Sequence, residues 1–95
     1  LLNVNGGGDV YKNRSEDGRC NLSGRRIAQL RGAMEPHTSQ RALADKMQLA
    51  GIDLDKNVIQ RIECGKCFVT DIELRAFAAV FGVTADELLR DDMQP

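Results

Sequence analysis

The stretch "DKNVIQRIECGKC", residues 55–67, carries an apolar and a polar stripe at the spacing of one short helix. Val58, Ile59 and Ile62 recur at helical steps and belong to a core. Lys56, Asn57, Gln60 and Arg61 follow the same steps on the opposite, exposed face, with no acid among them. Asp55 stands as an N-cap and Gly65 as a stop. Guanidinium, ammonium and amide groups are those that meet base edges, Arg and Lys toward guanine, Asn and Gln toward adenine. Solvent alone also selects a polar face on a surface helix. The rest of the chain therefore has to decide between the two readings.

On either side the pattern stays helical. Asn21 is placed to cap "LSGRRIAQLRGAM", where Ile27, Leu30 and Met34 share a face, and Pro36 breaks the chain after it. Ser39 caps "QRALADKMQLAG", which turns Leu43, Ala44 and Met47 inward and stops at Gly51. Thr70 with Glu73, and Thr84 with Glu87, each have the spacing of a capping box. Between them Leu74, Phe77, Ala78 and Phe81 form one stripe, and Leu88 and Leu89 give a last short helix something to bury. Five short helices without a convincing strand make an all-α bundle. Residues 1–20, with three consecutive glycines, are expected to be a flexible N-terminal arm. Residues 21–92 form the helical domain and residues 93–95 a tail.

A chain of 95 residues, 42% hydrophobic, suits one small domain with a limited core. With no Trp, three Phe and one Tyr, that core is mainly aliphatic. The net charge of −1 is uninformative, but its distribution is not. Residues 23–50 carry Arg25, Arg26, Arg31, Arg41 and Lys46 against Glu35 and Asp45. Residues 67–95 reverse the balance, with six acids against Arg75 and Arg90. An anionic partner belongs on the basic half, and the acidic part is expected to face away from it. Three cysteines do not make a closed disulfide framework, and no apolar run approaches the ~20 residues of a membrane span. "LLNVN" lacks the charged start and apolar run of a secretory signal. A reducing, cytoplasmic setting is the expectation.

The pieces "LRGAM", "SQRALADKMQLAG", "NVIQRIECGK", "DIELRAFAAVFGV" and "ADELL" occur in an order that resembles the Cro/phage-repressor type, or XRE-type, helix-turn-helix DNA-binding domains. The resemblance runs from about Asn21 to Arg90. Its most specific parts are Gln-x-x-Leu-Ala at Gln40, Leu43 and Ala44, Ile-x-x-Ile-Glu-x-Gly-Lys from Ile59 to Lys66, and the closing Gly-Val-x-x-x-Glu-Leu-Leu.

The resemblance implies a five-helix, lambda-repressor-like domain whose second and third helices form the helix-turn-helix, the third entering the major groove. Lys56, Asn57 and Arg61 match the family's base-contacting places, with Gln60 beside them. Gln40, Arg41 and Lys66 fall where phosphate contacts are expected, which set register rather than sequence preference. Arg31 and Glu63 match a structural ion pair that braces the reading helix. The resemblance further implies a transcriptional regulator, most simply a repressor, acting as a homodimer on an inverted-repeat site in double-stranded DNA. The connection "QLAGIDLDK" exceeds an ordinary turn of about 3–4 residues, so an extended second helix or a wider turn is expected.

Cys64 and Cys67 form a lone Cys-x-x-Cys pair. A structural zinc would need two more ligands, for which only Cys20 and His37 offer themselves, at a spacing that matches no finger. A redox pair would need a lowered thiol pKa. The favoured reading is of small side chains after a helix end, with no metal or cofactor. Two other functions stay open: an antitoxin or adaptor whose main partner is a protein, and a metal- or redox-responsive regulator. Parts for an enzyme are missing: no Ser/His/Asp set or carboxylate pair can be assembled, and "NGGGD" lacks the Lys-Ser/Thr of a phosphate loop.

Overall fold

Four of the helices begin where a short polar side chain at the N-cap takes up a free N–H. A computed structural model describes residues 13–90. Among them the chain forms α1 (Gly24–Gly32), α2 (Gln40–Leu49), α3 (Lys56–Glu63), α4 (Asp71–Phe81) and α5 (Ala85–Leu89), and no strand. Ser39 accepts from the Ala42 N–H at 3.0 Å and Asp55 from the Val58 N–H at 2.9 Å. Thr70 and Glu73 complete a reciprocal capping box. At α5 only half of the expected box forms: Thr84 accepts from the Glu87 N–H at 3.1 Å, without a return bond from the Glu87 carboxylate.

The core lies where all five helices meet. Ile27 of α1, Leu43, Ala44 and Met47 of α2, Ile59 and Ile62 of α3, Phe77 and Ala78 of α4 and Leu88 of α5 are buried together. Full burial of a Leu, Ile, Met or Phe side chain stabilises by roughly 1.5–3 kcal/mol, so these few residues hold the bundle. Phe77 stacks on Phe81 with ring centroids 6.4 Å apart. Helix α1 touches α3, α4 and α5, and α2 touches α3 and α4. No helix among the described residues is long and apolar enough to cross a membrane.

The wide α2–α3 connection is a plugged turn rather than an extended helix. Helix α2 stops at Leu49; the Gly51 N–H donates to the Gln48 carbonyl at 3.0 Å and the Ile52 N–H to the Met47 carbonyl at 2.9 Å. This double closure needs a left-handed residue, which Gly51 supplies at φ 89°. Leu54 then drops into the core and holds the extra residues down.

Four expectations need correction, one of them only in part. Helix α1 ends at Gly32, short of Met34. The N-cap position of α1 falls on Ser23, which makes no side-chain bond there, while the cap bond itself comes from Asn21, whose Oδ1 accepts from the Gly24 N–H at 2.8 Å. Only Leu88 of the final pair is buried, because adjacent helical residues point about 100° apart; Leu89 stays 42% exposed. Residues 13–20 do not behave as a free arm: they form a turn bonded to the end of α3. The remainder of the expected arm, residues 1–12, and the tail, with Asp91 and Asp92, lie outside the described residues.

Candidate nucleic-acid interface

Helix α3 is amphipathic as its spacing demands. Ile59 and Ile62 are fully buried and Val58 packs against them, while Lys56, Asn57, Gln60 and Arg61 are all exposed. Among the described residues the side chains of Lys56, Asn57 and Arg61 make no hydrogen bond to protein. Gln60 makes one weak bond, to the Cys64 sulfur at 3.5 Å. Four polar heads therefore stand in solvent on a backbone fixed at both ends. At the start, the Asp55 carboxylate holds the Val58 N–H. At the end, the Gly65 N–H closes on the Ile62 carbonyl at 3.0 Å and the Lys66 N–H on the Arg61 carbonyl at 2.8 Å. Gly65 takes φ 76°, a conformation costly for any residue with a Cβ.

Between α2 and the start of α3 lies an open cleft of about 270 Å³, lined by Arg41, Asp45, Gln48, Asp55, Lys56 and Asn57. Arg41, Lys56 and Asn57 bring two positive charges and an amide to it. Asp45 and Asp55 line the same cleft, balance those two charges and oppose an anion there. Lys66 is exposed beyond the far end of α3. The groups expected to touch bases and phosphates are thus spread along α3 and the α2 side of the cleft.

Arg31 and Glu63 do pair. Arg31 Nε lies 2.7 Å from Glu63 Oε2 and Nη2 lies 3.0 Å from Oε1, a two-pronged bond between α1 and the last residue of α3. The side chains are only 18% and 7% exposed. The Glu63 carboxylate, by its hydrogen bonds, holds the Arg31 pKa above the ordinary arginine value. Arg31 Nη1 also donates to the Thr38 carbonyl at 3.2 Å. Gln40 joins the same carboxylate, its Nε2 donating to Glu63 Oε1 at 2.9 Å. This changes the expected role of Gln40. Its amide is engaged by the brace, and only its second N–H is left for a phosphate.

Residues that sequence reasoning missed secure the other side of α3. Asn21 Nδ2 donates to the Ile62 and Cys67 carbonyls at 3.1 and 2.8 Å, while its Oδ1 accepts from the Gly24 N–H. Arg19 Nη2 donates to the Glu63 carbonyl at 2.7 Å. Gly24 is pressed so close to the Ile62 carbonyl that a Cβ would overlap it. Arg19 and Asn21 lie more than forty positions from the carbonyls they hold at the end of α3, and no local pattern signals those bonds.

The cysteines do not converge on a metal-like arrangement. Among the described residues no group of three or more His, Cys, Asp and Glu side chains is placed to hold a metal ion. Cys64 and His37 are exposed, whereas Cys20 and Cys67 are half-buried. Burial pushes the Cys67 thiol up, opposite to what a reactive thiolate needs, and the nearby Arg61 only partly offsets it. No family model, curated protein or solved structure matches the chain.

Proposed function

We propose that this chain is a sequence-specific double-stranded DNA-binding domain of the Cro/phage-repressor helix-turn-helix type, regulating transcription most simply as a repressor. One observation carries the reading: a short helix, braced at both ends, offers Lys56, Asn57, Gln60 and Arg61 to solvent with Lys56, Asn57 and Arg61 unbonded among the described residues. Such groups have the donors and acceptors that discriminate base edges in the major groove. Arg41 and Lys66, with the remaining N–H of Gln40, supply the phosphate contacts that set register. The five helices then correspond to a lambda-repressor-like domain, and α2 and α3 to its helix-turn-helix. A homodimer in the cytoplasm would place two such helices about 34–36 Å apart on an inverted repeat.

Selection from a random duplex pool tests the reading. An enriched site is expected, on which Asn57→Ala or Arg61→Ala costs about 1–3 kcal/mol and much less on random DNA. Affinity should fall steeply with salt as phosphates are neutralised. No enrichment, equal losses on both DNAs or a flat salt response would refute it. A second reading, as an antitoxin or adaptor, is favoured by exposed apolar side chains, above all Leu49 at 90% and Ile72 at 60%. A stable protein complex lost on Leu49→Lys or Ile72→Lys, together with failure to select a duplex, would turn the assignment that way.

A further inference from the structure

Helix α3 ends with carbonyls that no residue of its own helix can satisfy. Cys64, Lys66 and Gly65 serve those of Gln60, Arg61 and Ile62 through their backbone N–H groups. The Glu63 carbonyl, among the described residues, accepts only from Arg19, at 2.7 Å. The Cys20 N–H adds a bond to the Gly65 carbonyl at 2.9 Å, and Asn21 bonds the Ile62 and Cys67 carbonyls. The C-terminus of α3 is therefore capped by a segment far from it in sequence.

That segment is itself stiff. The Ser15 N–H donates to the Arg19 carbonyl at 3.0 Å and the Gly18 N–H to the Ser15 carbonyl at 2.9 Å, closing a turn. The Asp17 carboxylate accepts from the Ser15 hydroxyl, the Arg19 N–H and Arg25 of α1. Both faces it touches are glycine. A Cβ on Gly65 would come within 2.7 Å of Arg19 Cζ, and one on Gly24 within 2.7 Å of Arg19 Nη2. The Arg19 guanidinium thus lies in a slot between α1 and the end of α3 that admits no side chain on either wall.

We propose that residues 15–21 are a strap that sets the orientation of α3 on DNA, with Arg19 its positioning residue. The proposal rests on the duplex-reading assignment above. Phosphate contacts tolerate a small tilt of α3, whereas base contacts need groups held to about 0.5 Å and 10–20°. Loosening the strap therefore lowers discrimination between sequences more than it lowers general affinity. Arg19 acts here from behind the helix, through the Glu63 carbonyl, without touching a base.

The test compares full-length wild type, Arg19→Met and Arg19→Lys on the selected duplex and on random duplex, across salt. Arg19→Met keeps the stem and removes the donors, and should lower the preference for the selected site by about tenfold, the worth of the one bond from its charged head to the Glu63 carbonyl. Its random-duplex affinity and salt slope should stay near wild type, and Arg19→Lys, which restores one donor, should regain part of the preference. A preference kept within about twofold would overturn the strap. So would a salt slope lowered by about 0.9, the mark of one lost phosphate contact, because Arg19 would then be a DNA ligand. If wild type selects no duplex, the regulator reading fails and amide exchange decides on the strap alone. Faster exchange at Gly65 and Lys66 in Arg19→Met supports it, and unchanged exchange refutes it.

Discussion

Replacing Glu63 by Gln tests how α3 is held. The substitution keeps the shape and removes the negative charge between Arg31 and Gln40. Arg31, only 18% exposed, is left facing a neutral amide. Stripping one partner from a buried ion pair costs about 3–5 kcal/mol. Arg31 retains its bond to the Thr38 carbonyl and some access to water, so the lower end, about 3 kcal/mol, is expected. For a domain of this size each kcal/mol lowers Tm by roughly 4–8 °C, giving a fall of about 12–24 °C. Thermal and urea unfolding of wild type, Glu63→Gln, Arg31→Met and the double variant measure it. The double variant leaves no stranded charge, so the two losses should fail to add by about 2 kcal/mol. A loss below about 1 kcal/mol in Glu63→Gln, or strict additivity, would refute the brace.

Gly24→Ala should destabilise by about 3 kcal/mol or more, since its Cβ meets the Ile62 carbonyl, which cannot swing aside. Gly32→Ala in the same helix meets nothing within 4 Å and should instead stabilise by about 0.4–1 kcal/mol; urea midpoints compare the two. Asp55→Ala removes the α3 cap and should cost about 1 kcal/mol, read from the same curves. Asp17 has its pKa lowered from 3.8 to about 2, first by the Ser15 hydroxyl and then by Arg25. A carboxyl depressed on folding contributes stability that is complete above its unfolded pKa and is lost as pH falls through the folded one. Wild type should therefore lose its advantage over Asp17→Asn between pH ~4 and ~2, and unfolding at stepped pH checks this. An advantage unchanged across that window would contradict the turn geometry.

Local chemistry carried far in this chain. Ser39, Asp55 and Thr70 cap their helices because a cap joins residues only three apart, within reach whatever the rest of the fold does. The stripes of α2 and α3 point inward for the same reason: helical spacing places Leu43, Met47, Ile59 and Ile62 on single faces before any packing occurs. The Arg31–Glu63 pair was expected only from the resemblance, since no local rule links residues 32 positions apart. Gln40, Arg19 and Gly24 acquired their roles from the tertiary structure alone, as did Asn21 its hold on α3, beyond its local bond to the Gly24 N–H. Gln40 turns to Glu63 because the α1–α3 brace stands beside its helix start. Arg19 and Asn21 cap a helix 41 to 44 positions away because the folded core presents its open carbonyls to them. Side chains within one turn of each other meet by covalent geometry; those meeting across the bundle do so only after the core has closed and set the distance between them.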